Sequence, residues 1–236
     1  MPKLFIVATP IGNLKDITLR ALETLQSVDY ILAENTYKAK NLLSFYNIKK
    51  PVINYFQGSG KRTRTKIFDL LKQEKDIALI SEAGTPGLSD PGNELITEVI
   101  EKFGDKVEII PIPGPSALTT IVSIAGLPMQ KFLFLGFVPK RKQSKFFQEI
   151  VTSKYPVVFF ESPYRIIKTL EKLQELEPNL KVVVARELTK KFETIYRGTL
   201  KEVINAIRQD KVKGEFVVIA WNFLGDSPSF SRGQSP

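Results

Sequence analysis

Five short apolar, β-rich runs, at residues 4–8, 30–33, 52–55, 77–81 and 107–112, alternate with helical patterns such as 17–25 and 65–71. Parallel neighbours need a crossover between them, so this alternation restricts the first half of the chain to βαβ units on a mainly parallel sheet. The first helical pattern sets Leu14, Ile17, Leu22 and Leu25 toward one side, with Asp16 expected as its cap or first-turn acid. From about residue 132 the rhythm changes: runs at 132–137, 157–160, 182–185, 194–196 and 216–220 read as strands, and segments near Phe146, at 166–176 and at 200–207 as helices. The connection from Glu187 to Tyr196 is too short for a helical crossover, which predicts a mixed sheet there. Two α/β domains follow, at 1–112 and 113–225, with a Ser-, Pro- and Gly-rich flexible tail expected at 226–236.

Three strands of the first half end in the same kind of loop. Ala8-Thr9-Pro10-Ile11-Gly12-Asn13, Ser81-Glu82-Ala83-Gly84-Thr85-Pro86-Gly87 and Pro113-Gly114-Pro115-Ser116-Ala117 are rich in glycine, proline and small hydroxyl residues. Glycine lets a ligand touch the main chain, and proline fixes φ and removes a donor, so such loops are rigid and rich in carbonyls. In a parallel sheet the ligand site lies beyond the carboxyl ends of the strands, where all three loops fall. A carbonyl-rich site with few charged side chains suits a ligand held by shape and backbone hydrogen bonds, including one with a positive charge such as the sulfonium of S-adenosylmethionine.

Composition removes much familiar chemistry. The chain has neither cysteine nor histidine. Disulfides, thiolate nucleophiles, the usual zinc sites, histidine bases and serine–histidine triads are therefore ruled out, and no metal site is expected. The first βα turn reads Thr9-Pro10-Ile11-Gly12 where a dinucleotide fingerprint needs Gly-x-Gly-x-x-Gly. Gly58-Ser59-Gly60-Lys61 resembles the end of a P-loop, but Tyr55 stands where that motif needs its first glycine, leaving a basic loop as the better reading. No apolar run approaches the roughly 20 residues that cross a bilayer, and Met1-Pro2-Lys3 leads straight into a strand without a signal-peptide pattern. A soluble cytoplasmic protein is expected.

The net charge of +9 is unevenly placed, with 15 Lys and Arg against 14 Asp and Glu in residues 1–112 and 19 against 11 beyond. Lys140-Arg141-Lys142 and Lys61-Arg62-Thr63-Arg64 form compact basic runs. Basic runs are commonly solvated surface, yet an excess of this size also fits a polyanionic partner such as nucleic acid.

In order along residues 3–221, Thr9-Pro10-Ile11-Gly12-Asn13, Gly84-Thr85-Pro86 with Ser89-Asp90-Pro91-Gly92, Pro113-Gly114-Pro115-Ser116-Ala117, Gly136-Phe137-Val138-Pro139, Phe160-Glu161-Ser162, Ala185-Arg186-Glu187-Leu188-Thr189-Lys190 and Lys213-Gly214-Glu215 resemble the tetrapyrrole-methylase superfamily. More narrowly they resemble its ribosomal RNA small subunit methyltransferase I branch. The resemblance implies a homodimeric two-domain α/β enzyme that holds S-adenosylmethionine in a cleft between its domains and methylates a cytidine ribose 2′-hydroxyl in the decoding region of 16S rRNA. It implies cofactor contacts at Thr9, Pro10, Gly12, Gly84, Thr85, Pro86, Ser116 and Ala117, and further ones at Phe137, Ser162 and Leu188. Superfamily members that methylate corrin precursors usually have a glycine-richer first loop, so RNA is preferred to a tetrapyrrole-like small molecule. A noncatalytic RNA-binding relative is the other alternative. The chain departs from the branch at Asn35 and Tyr37 (commonly Asp and Arg), at Phe56-Gln57 (often His-Glu) and at Glu82 (usually Asp).

Methyl transfer from a sulfonium needs alignment more than protein nucleophiles, and a base for the hydroxyl proton would help. The candidate carboxylates are Glu34, Glu161 and Glu187, and the candidate RNA phosphate contacts are Arg62, Arg64, Lys140, Arg141 and Lys142.

Overall fold

The computed structural model describes residues 1–210 and 212–222, and the tail expected at 226–236 lies outside them. The chain divides into two compact units between Thr120 and Ile121 rather than after Ile112. The reason is local: the loop that follows Ile112 folds back onto the first unit, with Thr85 Oγ1 donating to the Pro115 carbonyl at 3.2 Å.

In the first unit, β1 (Lys3–Val7), β2 (Tyr30–Ala33), β3 (Val52–Asn54), β4 (Ile77–Ile80) and β5 (Glu108–Ile112) form one sheet in the order β3-β2-β4-β1-β5. All four pairings are parallel, as the βαβ pattern predicts. Strand side chains alternate between faces, and the core divides accordingly. Leu4, Leu32, Ile77 and Leu79 pack on one side with α3 (Lys61–Lys72) and α4 (Asn93–Phe103). Val7, Ile31, Ala78 and Ile80 pack on the other with α1 (Leu19–Ser27) and α2 (Thr36–Phe45). A sheet buried on both faces explains why its strands read as continuous apolar runs. The cap of α1 is Thr18, whose hydroxyl accepts from the Ala21 N–H at 3.1 Å. Asp16 instead closes a 3-10 turn, Leu14–Asp16, so the expected cap is corrected by two positions.

The second unit holds β6 (Leu133–Phe137), β7 (Val157–Glu161), β8 (Lys181–Arg186), β9 (Thr194–Thr199) and β10 (Phe216–Trp221) in the order β6-β7-β10-β8-β9. Only β6 and β7 pair in parallel, and the short connection after β8 makes the antiparallel pair expected of it. One face of this sheet, including Val157, Phe159, Val182, Val184, Phe216 and Val218, packs with α6 (Ser144–Thr152), α7 (Ile166–Leu176) and α8 (Leu200–Gln209). A short helix, α5 (Ala117–Ser123), carries the chain across the division. Among the described residues, no helix is long and apolar enough to cross a membrane.

Candidate functional site

Strands β4, β1 and β5 are neighbours, so the three glycine- and proline-rich loops leave adjacent positions at the carboxyl edge of one sheet. They are also bonded to each other. The Thr9 N–H donates to the Gly84 carbonyl at 2.8 Å, and the Gly84 N–H returns the bond to Thr9 at 3.0 Å. Thr9 Oγ1 donates to the Ser81 carbonyl at 3.3 Å and Ser81 Oγ to the Gly84 carbonyl at 3.0 Å. With the bond from Thr85 to Pro115, this makes one wall from three loops. Gly84 sits at φ +86°, where a Cβ would stand 3.3 Å from Ile11 Cγ2 and 3.7 Å from the Pro115 carbonyl oxygen. Both the backbone angle and the space call for glycine.

Thr9, Pro10, Gly84, Pro86 and Ser116 are buried, Thr85 and Ala117 are partly buried, and Gly12 is exposed. Among the described residues, Ser116 Oγ is buried with no hydrogen-bond partner. A buried hydroxyl left unpaired is costly and is ordinarily satisfied by protein, water or ligand. The first-unit residues expected at the cofactor are thus gathered at one edge, and one of them offers a free polar atom. Beside the wall lies a cavity of about 270 Å³, lined by Thr9, Pro10, Glu34, Asn35, Lys38, Phe45 and Glu82 among others.

That cavity accounts for two departures from the branch. Asn35 caps α2, its Oδ1 accepting from the N–H groups of Tyr37 and Lys38, both at 3.1 Å. The amide keeps the capping oxygen while removing an aspartate's charge. Glu82 pairs with Lys38. Nothing in the sequence pointed to Lys38, because the partners are 44 residues apart and meet only when β2 and β4 pair.

The three candidate carboxylates have different surroundings. Glu34 is exposed on the cavity wall, and among the described residues its carboxylate has no ion-pair partner. Glu161 is 1% exposed; it pairs with Arg165 at 2.8 Å and accepts from the Ser162 N–H at 2.6 Å and from Thr169 Oγ1 at 2.7 Å. It is an anchor of the second unit rather than the base expected of it, since its oxygens are already occupied by donors. Glu187 holds φ +53° and binds Lys190 Nζ at 2.9 Å and the Glu215 N–H at 3.0 Å. Burial pushes its carboxyl up, but the hydrogen bonds from Lys190 and Glu215 and the charges of Lys190 and Arg186 outweigh it, leaving the group below the usual carboxylate range. A depressed carboxylate is a weaker proton acceptor.

The same depression predicts a pH dependence. Because the folded value lies below the unfolded one, Glu187 contributes stability that is full above the ordinary carboxylate pKa and is lost as pH falls through the folded value. Glu187→Gln is therefore expected to flatten the acid limb of a stability–pH profile below about pH 4.5. Urea melts at pH 3, 4, 5 and 7 check this, and an unaltered acid limb would refute it.

The second-unit residues expected at the cofactor also share an edge. Strand β10 runs antiparallel to both β7 and β8, and β6 runs parallel to β7, so Phe137, Ser162 and Leu188 all lie at the same end of that sheet. Gly136 at φ +66° coincides with a register shift between Phe134 and Phe137, and Phe137 is 57% exposed. Leu188, by contrast, is buried.

The basic residues divide similarly. Arg64 braces the first unit: its guanidinium binds the Ser59 carbonyl at 2.9 Å, Glu94 at 3.2 Å and Glu98. It is therefore not the free phosphate contact expected from its basic run. Arg62, Lys140, Arg141 and Lys142 are exposed.

Residues 3–204 match the family model described as Tetrapyrrole (Corrin/Porphyrin) Methylases. The chain is 42% identical over 220 residues to ribosomal RNA small subunit methyltransferase I of Hydrogenobaculum sp., covering 92% of this chain and 94% of that relative. It is 42% identical to the protein of the same name from Thermotoga maritima, covering 93% and 98% respectively. Among solved structures it is similar in fold to cobalt precorrin-4 methyltransferase, with a TM-score of 0.69 and 18% identity over 92% of this chain and 94% of that one. Uroporphyrin-III C-methyltransferase from Thermus thermophilus gives 0.66 and 14%, over 93% and 94%.

Proposed function

Since the chain belongs to the tetrapyrrole methylase family, and within it to the ribosomal RNA small subunit methyltransferase I group, we propose that it methylates a cytidine ribose 2′-hydroxyl in the decoding region of 16S rRNA. The protein is an S-adenosylmethionine-dependent methyltransferase, and the reading adds that it acts in the cytoplasm as a homodimer. The observation that carries it is the interlocked wall of Thr9, Gly84 and Thr85, with the Ser116 hydroxyl, unpaired among the described residues, beside it.

These residues fit the cofactor. Backbone carbonyls and a spare hydroxyl suit a zwitterionic, sulfonium-bearing molecule better than a phosphate, which would call for cations or a ring of free N–H groups. When bound, S-adenosylmethionine supplies the methyl electrophile. The chain's part is to fix the position of the acceptor hydroxyl, exclude water and receive a proton. In this reading Glu34 Oε is the proton acceptor: it is on the cavity wall with Thr9 and Pro10 and, among the described residues, forms no ion pair. Lys38 and Glu82 border the same cavity, and Arg62, Lys140, Arg141 and Lys142 would hold the RNA backbone.

Incubation with labelled S-adenosylmethionine and unmodified small subunits, followed by nucleoside mass spectrometry, tests the proposal. The expected product is 2′-O-methylcytidine. Label in a corrinoid instead would move the assignment to small molecules, and failure to bind S-adenosylmethionine in calorimetry would leave a noncatalytic RNA-binding protein.

A further inference from the structure

Resting on the RNA reading above, we infer that the second unit carries a preorganised site for the phosphodiester backbone of that RNA, formed by Lys140, Arg141, Lys142 and Lys172. The first three precede α6, and Lys172 comes from α7, 30 positions beyond Lys142. Together they line a cavity of about 600 Å³ whose wall also includes Gln143 and Ser144. Lysine and arginine charges beside amide and hydroxyl donors suit phosphate oxygens, which take charge-assisted hydrogen bonds from several directions. Among the described residues, Lys140, Arg141 and Lys142 form no ion pair; Lys172 meets Glu175 at 2.8 Å, an exposed and therefore weak contact.

The loop that holds these charges is clamped. Lys142 adopts φ +55°, and Gln143 Nε2 donates to the Pro139 carbonyl at 2.7 Å. Arg165 donates to the carbonyls of Val138 at 2.9 Å and Pro139 at 3.3 Å, and is itself held by the buried Glu161. A basic run of this composition is usually a solvated, mobile surface. Here its base is pinned to the core, so less freedom is lost when a phosphate binds. Arg165 and Glu161 act as positioning residues for the cations. The contacts fix the place of the RNA without reading its sequence.

The test is binding of the full chain to unmodified small-subunit RNA across a salt series. Each phosphate contact contributes about 0.7–0.9 to the slope of log affinity against log salt, so the variant K140A/R141A/K142A/K172A is expected to reduce that slope by about 3 and to bind about 100-fold more weakly near 0.1 M salt. Lys172→Ala alone should reduce the slope by just under 1, on the order of one contact. Arg165→Ala removes no phosphate-facing charge but frees the loop, so affinity should fall several-fold at an unchanged slope. Melting temperature and S-adenosylmethionine affinity report that each variant is folded. If the wild-type chain labels small-subunit RNA while the quadruple variant keeps its affinity and slope, the pocket is overturned and the methyltransferase reading stands. If the wild-type chain labels no RNA, that reading fails instead. Loss of binding to phosphatidylserine vesicles with RNA binding untouched would reassign the pocket to a membrane and overturn the inference.

Discussion

Replacing Gly84 by valine is expected to weaken S-adenosylmethionine binding on the order of 100-fold, measured by calorimetry on the full chain. A β-branched residue at φ +86° is strained, costing about 1–2 kcal/mol in the backbone alone. The new side chain also begins 3.3 Å from Ile11 Cγ2, with further methyl groups to place beyond that. Relief requires the Thr9–Gly84 bonds to open, and those bonds hold the first and second loops together. Because the loop lies at the edge of the sheet and its neighbours Val7 and Ile80 are core residues of the strands beneath, the unit should remain folded while the wall is deformed. Gly84→Ala should fall between, since it carries the strained angle but only the first carbon. Valine at 84 with unchanged cofactor affinity would separate this wall from the binding site altogether.

The second large effect concerns stability. Glu161→Ala is expected to destabilise the second unit by about 3 kcal/mol, lowering its melting temperature by about 10 °C in calorimetry. The Glu161 side chain is fully enclosed while that of Arg165 is 30% exposed, so the loss belongs at the low end of what breaking a buried pair costs. Thr169 Oγ1 and the Ser162 N–H lose their acceptor in the same substitution, which adds unsatisfied donors to the lost charge. Glu161→Gln keeps the shape and an acceptor oxygen and should cost much less. A variant that loses methyl transfer while melting like the wild type would return Glu161 to the role of base.

The architecture was legible because it rests on periodicity. The central strand β4 is buried on both faces, which leaves the unbroken apolar run Ile77–Ile80, and such a run survives in any reading of the chain. The placement of the three loops followed from the same logic, since parallel strands present their carboxyl ends together. What escaped were features made by tertiary contact. The role of Glu161 depends on Thr169 and Arg165 turning toward it from the start of α7, and that of Arg64 on Glu94 and Glu98 in α4. A carboxylate or guanidinium in a motif looks equally available whether it faces a substrate or a partner. The cap of α1 was misplaced for a different reason: Asp16 and Thr18 are both good capping residues two positions apart, and only backbone geometry distinguishes them.

The order of the second sheet, β6-β7-β10-β8-β9, puts the last strand of the described residues between two that come earlier. Until Phe216–Trp221 is in place, β7 and β8 each present an open apolar edge to whatever lies nearby. The first sheet has no such debt to later sequence, because Ile112 completes it. During synthesis the first unit can therefore close as it emerges, whereas the second has to wait, and a chain cut short before residue 216 is left with paired templates for aggregation.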